Sequence, residues 1–456
     1  MELMTAFGWL SIMLLIGIVC RAKIKLFRNI LMPASVIAGC LGFLLLNMGI
    51  LQGVDGNIYN DLTAHLFTLS FISIGLTSVS KSEETGSSVK TMLKGSIAIG
   101  AVWVLLWSVT PLLGYLVLKV LNMATDMHAV YGLLIPTAFC DGPGTAIVFG
   151  NMFESYGWEN ASQVAVTFAV IGFFYAFGVG VPLAKWGVKK GLAKNVTAID
   201  NAIARGLYRK QEQHESLGLA TCYSGNIDTL AFHLALVGGC FIGAKYLSAL
   251  CALIPGSWGE IVSSLMFIHG LIVAYIVRWI MEKLNITQYK NDILQARITG
   301  TCTDMLVCSA FMAIQISIIG QWLVPILIVT FVAALFTLGI SYYFGSRIGG
   351  PCDFERTLGI WGCATGTCPT GIALIRIVDP NLETTAATEL GAMNVVAMVL
   401  SLGVYVAIPS IAKLIAEGTG FGIGNLGVCF VTAVICLVVL KVFKAWGKPT
   451  YHLKEK

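Results

Sequence analysis

The sequence predicts an all-α polytopic membrane protein made of two inverted-topology repeats. Each repeat has five transmembrane helices plus one re-entrant hairpin, and an extra helix follows at the C-terminus. Three observations carry this. Apolar residues make up 57% of the chain and charged residues 12%, against about 25% charged in an average soluble domain. Apolar runs of about 20 residues, the length that crosses a bilayer, alternate with short loops whose Lys and Arg fall on every second loop, the bias that sets orientation in a membrane. Two further apolar segments, at about 129–150 and 358–378, are interrupted in the middle. The first is broken by Cys140-Asp141-Gly142-Pro143-Gly144-Thr145, the second by Cys363-Ala364-Thr365-Gly366-Thr367-Cys368-Pro369-Thr370. Paired interruptions at corresponding places in two halves point to a transporter binding site.

The first apolar run, Met4 to Cys20, has no basic residue before it and is followed by Arg21, Lys23, Lys25 and Arg28. It therefore reads as a retained span with its N-terminus outside, not as a signal peptide. Leu31 to Leu51 returns to an acidic loop holding Asp55 and Asp61. Leu62 to Val79 then leads to the inside loop with Lys81, Lys90 and Lys94, and Gly95 to Lys119 goes back out. The first broken segment starts outside near His128. The span after it, Gln163 to Ala184, opens into Lys185, Lys189, Lys190, Lys194, Arg205, Arg209 and Lys210, the most basic loop of the chain. If that span runs inward, the broken segment both begins and ends outside, which makes it a hairpin.

The second half repeats the scheme from the opposite face. Spans at Thr229 to Leu253, Ile261 to Met281, Ile298 to Ile319 and Trp322 to Gly345 place Lys283, Lys290, Arg297, Arg347 and Arg356 in inside loops. The second broken segment begins and ends inside, before a span from Ala386 to Ile415. The organisation expected is a first repeat over 1–184, a cytoplasmic linker over 185–228, a second repeat over 229–415, and a final part over 416–456. That final part holds a span from Phe421 to Phe443 and a cytoplasmic tail with Lys444, Lys448, Lys454 and Lys456. Within the linker, Ala198 to Gln213 reads either as an amphipathic helix on the inner leaflet or as a solvated connection, and its composition favours the connection.

An unwound Gly-Pro-Gly turn at membrane depth is tolerated only where protein or a water-filled cavity surrounds it. Its freed amides and the N-termini of the half-helices suit a carboxylate. Freed carbonyls and the hydroxyls of Thr145, Thr365, Thr367 and Thr370 suit Na⁺. The substrate path is therefore expected along Gly142, Gly144, Thr145, Gly366, Thr367 and Thr370, with Asn394 adding a polar contact. The cation-site candidates are Asp141, Thr365, Thr303 and Asp304. An ionisable side chain at a helix centre costs about 2.5–3.5 kcal/mol on insertion scales and is a functional candidate by default; Asp304 reads equally as a residue hydrated near the inner face. A single break would read as a kinked helix, whereas two at matching places favour a site.

Several function classes lose support. The net charge of +5 sits in short loops and reports topology, so nucleic acid is not an expected partner; the lipid bilayer is. The 13 Cys include no C-x-x-C pair, and no His pair has ligand spacing, so neither a cofactor nor a metal beyond the coupling ion is expected. No Walker A loop, H-E-x-x-H or G-x-S-x-G element occurs. Cys140 or Cys368 with His128 is the one candidate nucleophile and base, without supporting spacing, so the chain does not read as an enzyme. A channel would need a ring of identical filters, whereas these two loops differ.

The run from Asp141 to Gly180, with Gly144, Thr145, Glu154, Tyr156-Gly157, Asn160-Ala161, Val164-Ala165 and Gly172, resembles the bacterial sodium:glutamate symporter family. The first hairpin of that family usually reads Gly-Gly-His-Gly-Thr-Gly, followed by a Tyr-Gly and an Asn-Ala-Thr. The family's second hairpin, Gly-x-x-x-Gly-x-x-Pro-Thr, is matched by Gly362, Gly366, Pro369 and Thr370, and Ile74-Gly75-Leu76, Pro33 and Ala38-Gly39 also fit. The similarity covers about residues 10–415. It implies a homodimeric inner-membrane symporter of the bacterial cell with an elevator-type moving domain, in which the hairpins hold substrate and Na⁺.

The function so implied is Na⁺-coupled symport of glutamate or a related small carboxylate or amino acid into the cell. The alternative is a proton- or Na⁺-coupled carrier of another organic anion or a neutral amino acid. Two departures bear on the choice. Gly142 stands at the family's His position, and Asp141 places an acid where the family has Gly. An acid there repels a dicarboxylic amino acid unless a cation sits between them or the acid is protonated. The extra C-terminal span is the second departure.

Overall fold

The structure, a computed structural model, describes residues 2–77, 86–122, 125–193, 207, 218–223, 225–379 and 383–452. The Ala198 to Gln213 stretch lies outside them, apart from Leu207. Every regular element among the described residues is helical. In chain order these are α1 (Glu2–Lys23), α2 (Lys25–Asn29), α3 (Ala34–Asn47), α4 (Gly56–Leu76) and α5 (Gly86–Leu121). A 3₁₀ stretch (Ala129–Leu134) then leads into α6 (Ile135–Phe139), α7 (Pro143–Ser155) and α8 (Ala161–Lys189). Beyond the linker come α9 (Thr229–Cys251), α10 (Ser257–Ser264), α11 (Met266–Lys283), α12 (Asp292–Met312), α13 (Ile316–Ile319) and α14 (Leu323–Gly345). The series closes with α15 (Asp353–Ala364), α16 (Cys368–Val378), α17 (Ala386–Ala416) and α18 (Ile423–Val442).

Each span expected from the sequence meets a helix. Among the described residues seven helices are long and apolar enough to cross a membrane, or eight when the bent pair α10 and α11 is taken as one span. The chain is thus a polytopic membrane protein. Three expected spans fall short of that measure for visible reasons: α3 is only 14 residues long, and α4 and α12 carry polar residues that meet each other. Thr63 Oγ1 lies 2.6 Å from Ser309 Oγ. Ser73 Oγ donates to the Gln295 carbonyl at 2.8 Å and accepts from Gln295 Nε2 at 2.9 Å. All four side chains are buried. Polar groups away from water are satisfied by partners on a neighbouring helix, and hydropathy alone undervalues such helices.

Local chemistry sets the boundaries. Asp55 accepts from the amides of Asn57 and Ile58 at 2.9 and 3.2 Å and so caps α4. Asn291 caps α12 by accepting from Leu294 N at 2.9 Å; an N-cap side chain satisfies amides that have no partner within the helix. That cap starts α12 at Asp292, and the helix runs to Met312, about two turns ahead of the expected Ile298 to Ile319. The expected straight span Ile261 to Met281 is bent by 68° at Leu265.

The chain divides into two compact units. One comprises Met1–Ile18, Ala34–Ser82 and Tyr208–Ala313; the other comprises Val19–Pro33, Glu83–Leu207 and Ile314–Lys456. The first unit holds most of α1 with α3, α4 and α9 to α12. Ala6, Leu10, Met13, Ala38, Tyr59, Cys308 and Met312 form one apolar core in it, and Ile72, Leu76, Val237, Cys240, Ala274 and Ile298 form another. Arg278 Nη1 donates to the carbonyls of Gly75 and Thr77 at 3.3 and 2.9 Å, closing the C-terminal end of α4, where a cation complements the helix dipole.

The second unit holds α5 to α8 and α13 to α18, so both broken segments lie in it. Arg356, expected in an inside loop, is in fact within α15 and 1% exposed. Its Nη1 meets Asp353 Oδ1 at 2.7 Å, while Nε and Nη2 meet the two carboxylate oxygens of Glu389 on α17 at 2.6 and 2.7 Å. Gly95 on α5 makes room for this group: a Cβ there would overlap the Glu389 carboxylate. A bidentate guanidinium pair buried to this degree is possible because each charge finds a partner of matching geometry.

Candidate functional site

The first break is made by backbone chemistry that only some residues permit. α6 ends at Cys140, and Gly142 precedes α7 with φ +79°, a left-handed conformation open to glycine at little cost. Pro143 then occupies the first position of α7, where its missing N–H leaves no helical bond unmade. At the second break α15 ends at Ala364. Thr367, with extended backbone at φ −152°, precedes α16, which opens with Cys368 and Pro369.

These two breaks meet. A Cβ on Gly142 would come within 2.5 Å of Thr367 Cγ2 and 2.9 Å of the Gly366 carbonyl oxygen. Cys140 Sγ lies 4.0 Å from the Ala364 carbonyl. α7 and α16 therefore both begin at one junction inside the second unit, where their first-turn amides are unpaired within the helix. Around it stand the hydroxyls of Thr367 and Thr370, 3.0 Å apart, and fully buried Thr145. Thr365 Oγ1 donates to the Trp361 carbonyl at 2.7 Å, which leaves its lone pairs available.

Asp141 is the charged member of this set. It accepts a hydrogen bond from the Tyr405 hydroxyl on α17, and Thr145 sits beside the same carboxylate. Tyr405 is itself fixed: its ring stacks on Trp107 with centroids 4.4 Å apart and meets Phe149 edge-on at 5.7 Å. Trp103 Nε1 donates to the Cys140 carbonyl at 3.1 Å, tying α5 to the end of α6. A carboxylate matched by a phenol, with no Lys or Arg donating to it in this set, suits a proton or a small cation. The two helix starts suit an anionic substrate group.

The structure thus brings Asp141, Gly142, Gly144, Thr145, Thr365, Gly366, Thr367 and Thr370 to one place. Asn394 flanks it. The residue is exposed on α17, with Nδ2 at 3.2 Å from the Gly391 carbonyl and 4.0 Å from Cys368 Sγ. Thr303 and Asp304 belong to the other unit; Thr303 donates to the Thr299 carbonyl at 2.8 Å, and Asp304 is exposed. Sequence reasoning missed Tyr405, Trp103 and Trp107. The two Trp stand one turn apart in α5, a weak mark, and nothing along α17 distinguishes Tyr405 from a lining residue.

None of the curated proteins compared with the chain matches it. A family model described as sodium/glutamate symporter matches residues 1–384, which takes in both breaks and stops short of α17. On that match, which spans most of the sequence, the chain belongs to the sodium/glutamate symporter family.

Proposed function

We propose that this protein is a secondary active transporter that carries glutamate, or a related small carboxylate or amino acid, into the cell together with Na⁺. The observation that carries the reading is the junction of the two broken segments, where hydroxyls, freed backbone and one carboxylate converge on two helix starts. Family membership supports Na⁺ and glutamate as the transported pair. Inward drive is adequate in size, since each net positive charge gains about 2.3 kcal/mol per 100 mV.

The architecture proposed is two inverted repeats over 1–184 and 229–415, each with a re-entrant hairpin, in the inner membrane of a bacterial cell with the N-terminus outside and the C-terminus in the cytoplasm. The unit composition supports it: the first three spans of each half fall in one unit, and the fourth span, the broken segment and the fifth span of each half fall in the other. That division also supports an elevator-type mechanism in which the hairpin-bearing unit moves as a body within a homodimer. Thr303 and Asp304 are proposed as separate cation candidates on α12.

One observation favours a second reading, coupling to protons. Asp141 faces a phenol where a carrier of a dicarboxylate would need neutralisation. The test is uptake of radiolabelled glutamate by the purified protein in liposomes, with an inward Na⁺ gradient or with K⁺ in its place. Accumulation with Na⁺ alone is the expected result. Equal uptake in K⁺, or none in Na⁺, sinks the Na⁺ reading, and accumulation driven by an inward proton gradient establishes the second.

A further inference from the structure

The chain does not end with α18. After Val442, Lys444 takes a left-handed φ of +61° and turns the tail back on the second unit, with Ala445 fully buried and Trp446 against Phe344 at 6.0 Å between ring centroids. Thr450 and Tyr451 then reach the segment that connects α14 to α15. Thr450 N donates to the Ser346 carbonyl at 2.8 Å, and its hydroxyl lies 2.9 Å from Asp353 Oδ2. Tyr451 is 6% exposed. Its hydroxyl lies 2.5 Å from Thr357 Oγ1, and its ring meets Phe354 and Tyr342 edge-on at 5.4 and 5.9 Å.

What Thr450 touches has an electrostatic reason. Two carboxylates, Asp353 and Glu389, share the one guanidinium of Arg356, so the remaining negative charge needs neutral donors. Glu389 Oε1 receives the hydroxyl of Thr385 at 2.7 Å. Asp353 Oδ2 receives the Gly349 amide at 2.9 Å and the Thr450 hydroxyl. Lys94 Nζ holds the same connection from α5 by donating to the Ile348 carbonyl at 2.6 Å. A continuous polar chain therefore runs from the tail through Asp353, Arg356 and Glu389 to Thr385, which adjoins the start of α17, and it fixes the start of α15. α15 is the first half of the second broken segment, and Thr365–Thr367 is its far end.

We propose that Thr450 and Tyr451 are positioning residues for transport: the C-terminal tail is a strap that holds the base of the second broken segment and sets how readily its tip opens. The strap lies beyond residue 384, where the family match ends. The inference goes beyond the proposed function and does not depend on which substrate is carried.

The experiment uses the full-length protein without substrate, so that its outcome stands apart from the glutamate assignment. The rate of alkylation of half-buried Cys368 by N-ethylmaleimide is followed by mass spectrometry, with buried Cys429 on α18 as internal control. Thr450→Val and Tyr451→Ala are expected to raise the Cys368 rate about tenfold, the effect of one lost hydrogen bond on a local opening equilibrium. Thr450→Ser, which keeps the hydroxyl, is expected to match the wild type, and Cys429 is expected not to change. Unchanged Cys368 reactivity overturns the proposal. So does a parallel rise at Cys429, which would report general loosening, or a Thr450→Ser rate equal to that of Thr450→Val.

Discussion

Asp141→Asn is expected to uncouple transport from its driving cation. The substitution keeps the shape of the side chain and its hydrogen-bonding reach to Tyr405 but removes the negative charge that Asp141 brings to the junction of the two breaks. If Asp141 holds Na⁺ or a proton, the rate of uptake should lose its dependence on that cation, whatever becomes of substrate affinity. Tyr405→Phe deletes the phenol that donates to the carboxylate. Hydrogen bonds to charged groups are worth about 1.5–3 kcal/mol, so the apparent cation affinity is expected to change by about ten- to a hundredfold. Initial rates in proteoliposomes, measured against Na⁺ concentration and pH, check both. An Asp141→Asn protein with wild-type cation and pH dependence would remove Asp141 from the mechanism.

Arg356→Met is expected to cost about 3–5 kcal/mol of stability in the second unit, the usual consequence of leaving a buried charge without its partner. Here two carboxylates lose their guanidinium together, Asp353 at 2% and Glu389 at 0% exposure. Replacing Glu389 by Met as well should recover more than half of the loss, because Asp353 then keeps neutral donors from Gly349 and Thr450 and an apolar pair often matches a buried ion pair in stability. Thermal unfolding in detergent reads both variants. An unfolding midpoint unchanged by Arg356→Met would mean that the cluster is hydrated and not the buried network described.

The breaks were legible in the sequence because Gly142, Pro143, Gly366 and Pro369 stand where an ordinary span carries branched apolar residues, and such residues dictate backbone geometry wherever they occur. The convergence of the two breaks on one unit was legible only as a symmetry argument from loop charge. Residues whose importance comes from a distant partner were not. Arg356 reads as a loop cation until Asp353 and Glu389 are seen around it, and Tyr405 reads as one more apolar position until Asp141 meets its hydroxyl. The tail reads from the sequence only as a basic cytoplasmic end, and its contacts were not legible, because Thr450 and Tyr451 sit among Lys, Gly and Pro and carry no periodic signal. The start of α12 was placed too late for a local reason: the Asn291 cap begins the helix at Asp292, earlier than hydropathy suggests.

The central claim is that the two breaks form one binding site, and equilibrium binding of radiolabelled glutamate to the purified protein tests it most directly. The account predicts saturable binding that requires Na⁺. Thr145→Val in the first break and Thr370→Val in the second should each weaken it about tenfold or more, the cost of one polar contact in a desolvated site. Binding that is indifferent to Na⁺, or that responds to a substitution in one break and not in the other, would contradict it.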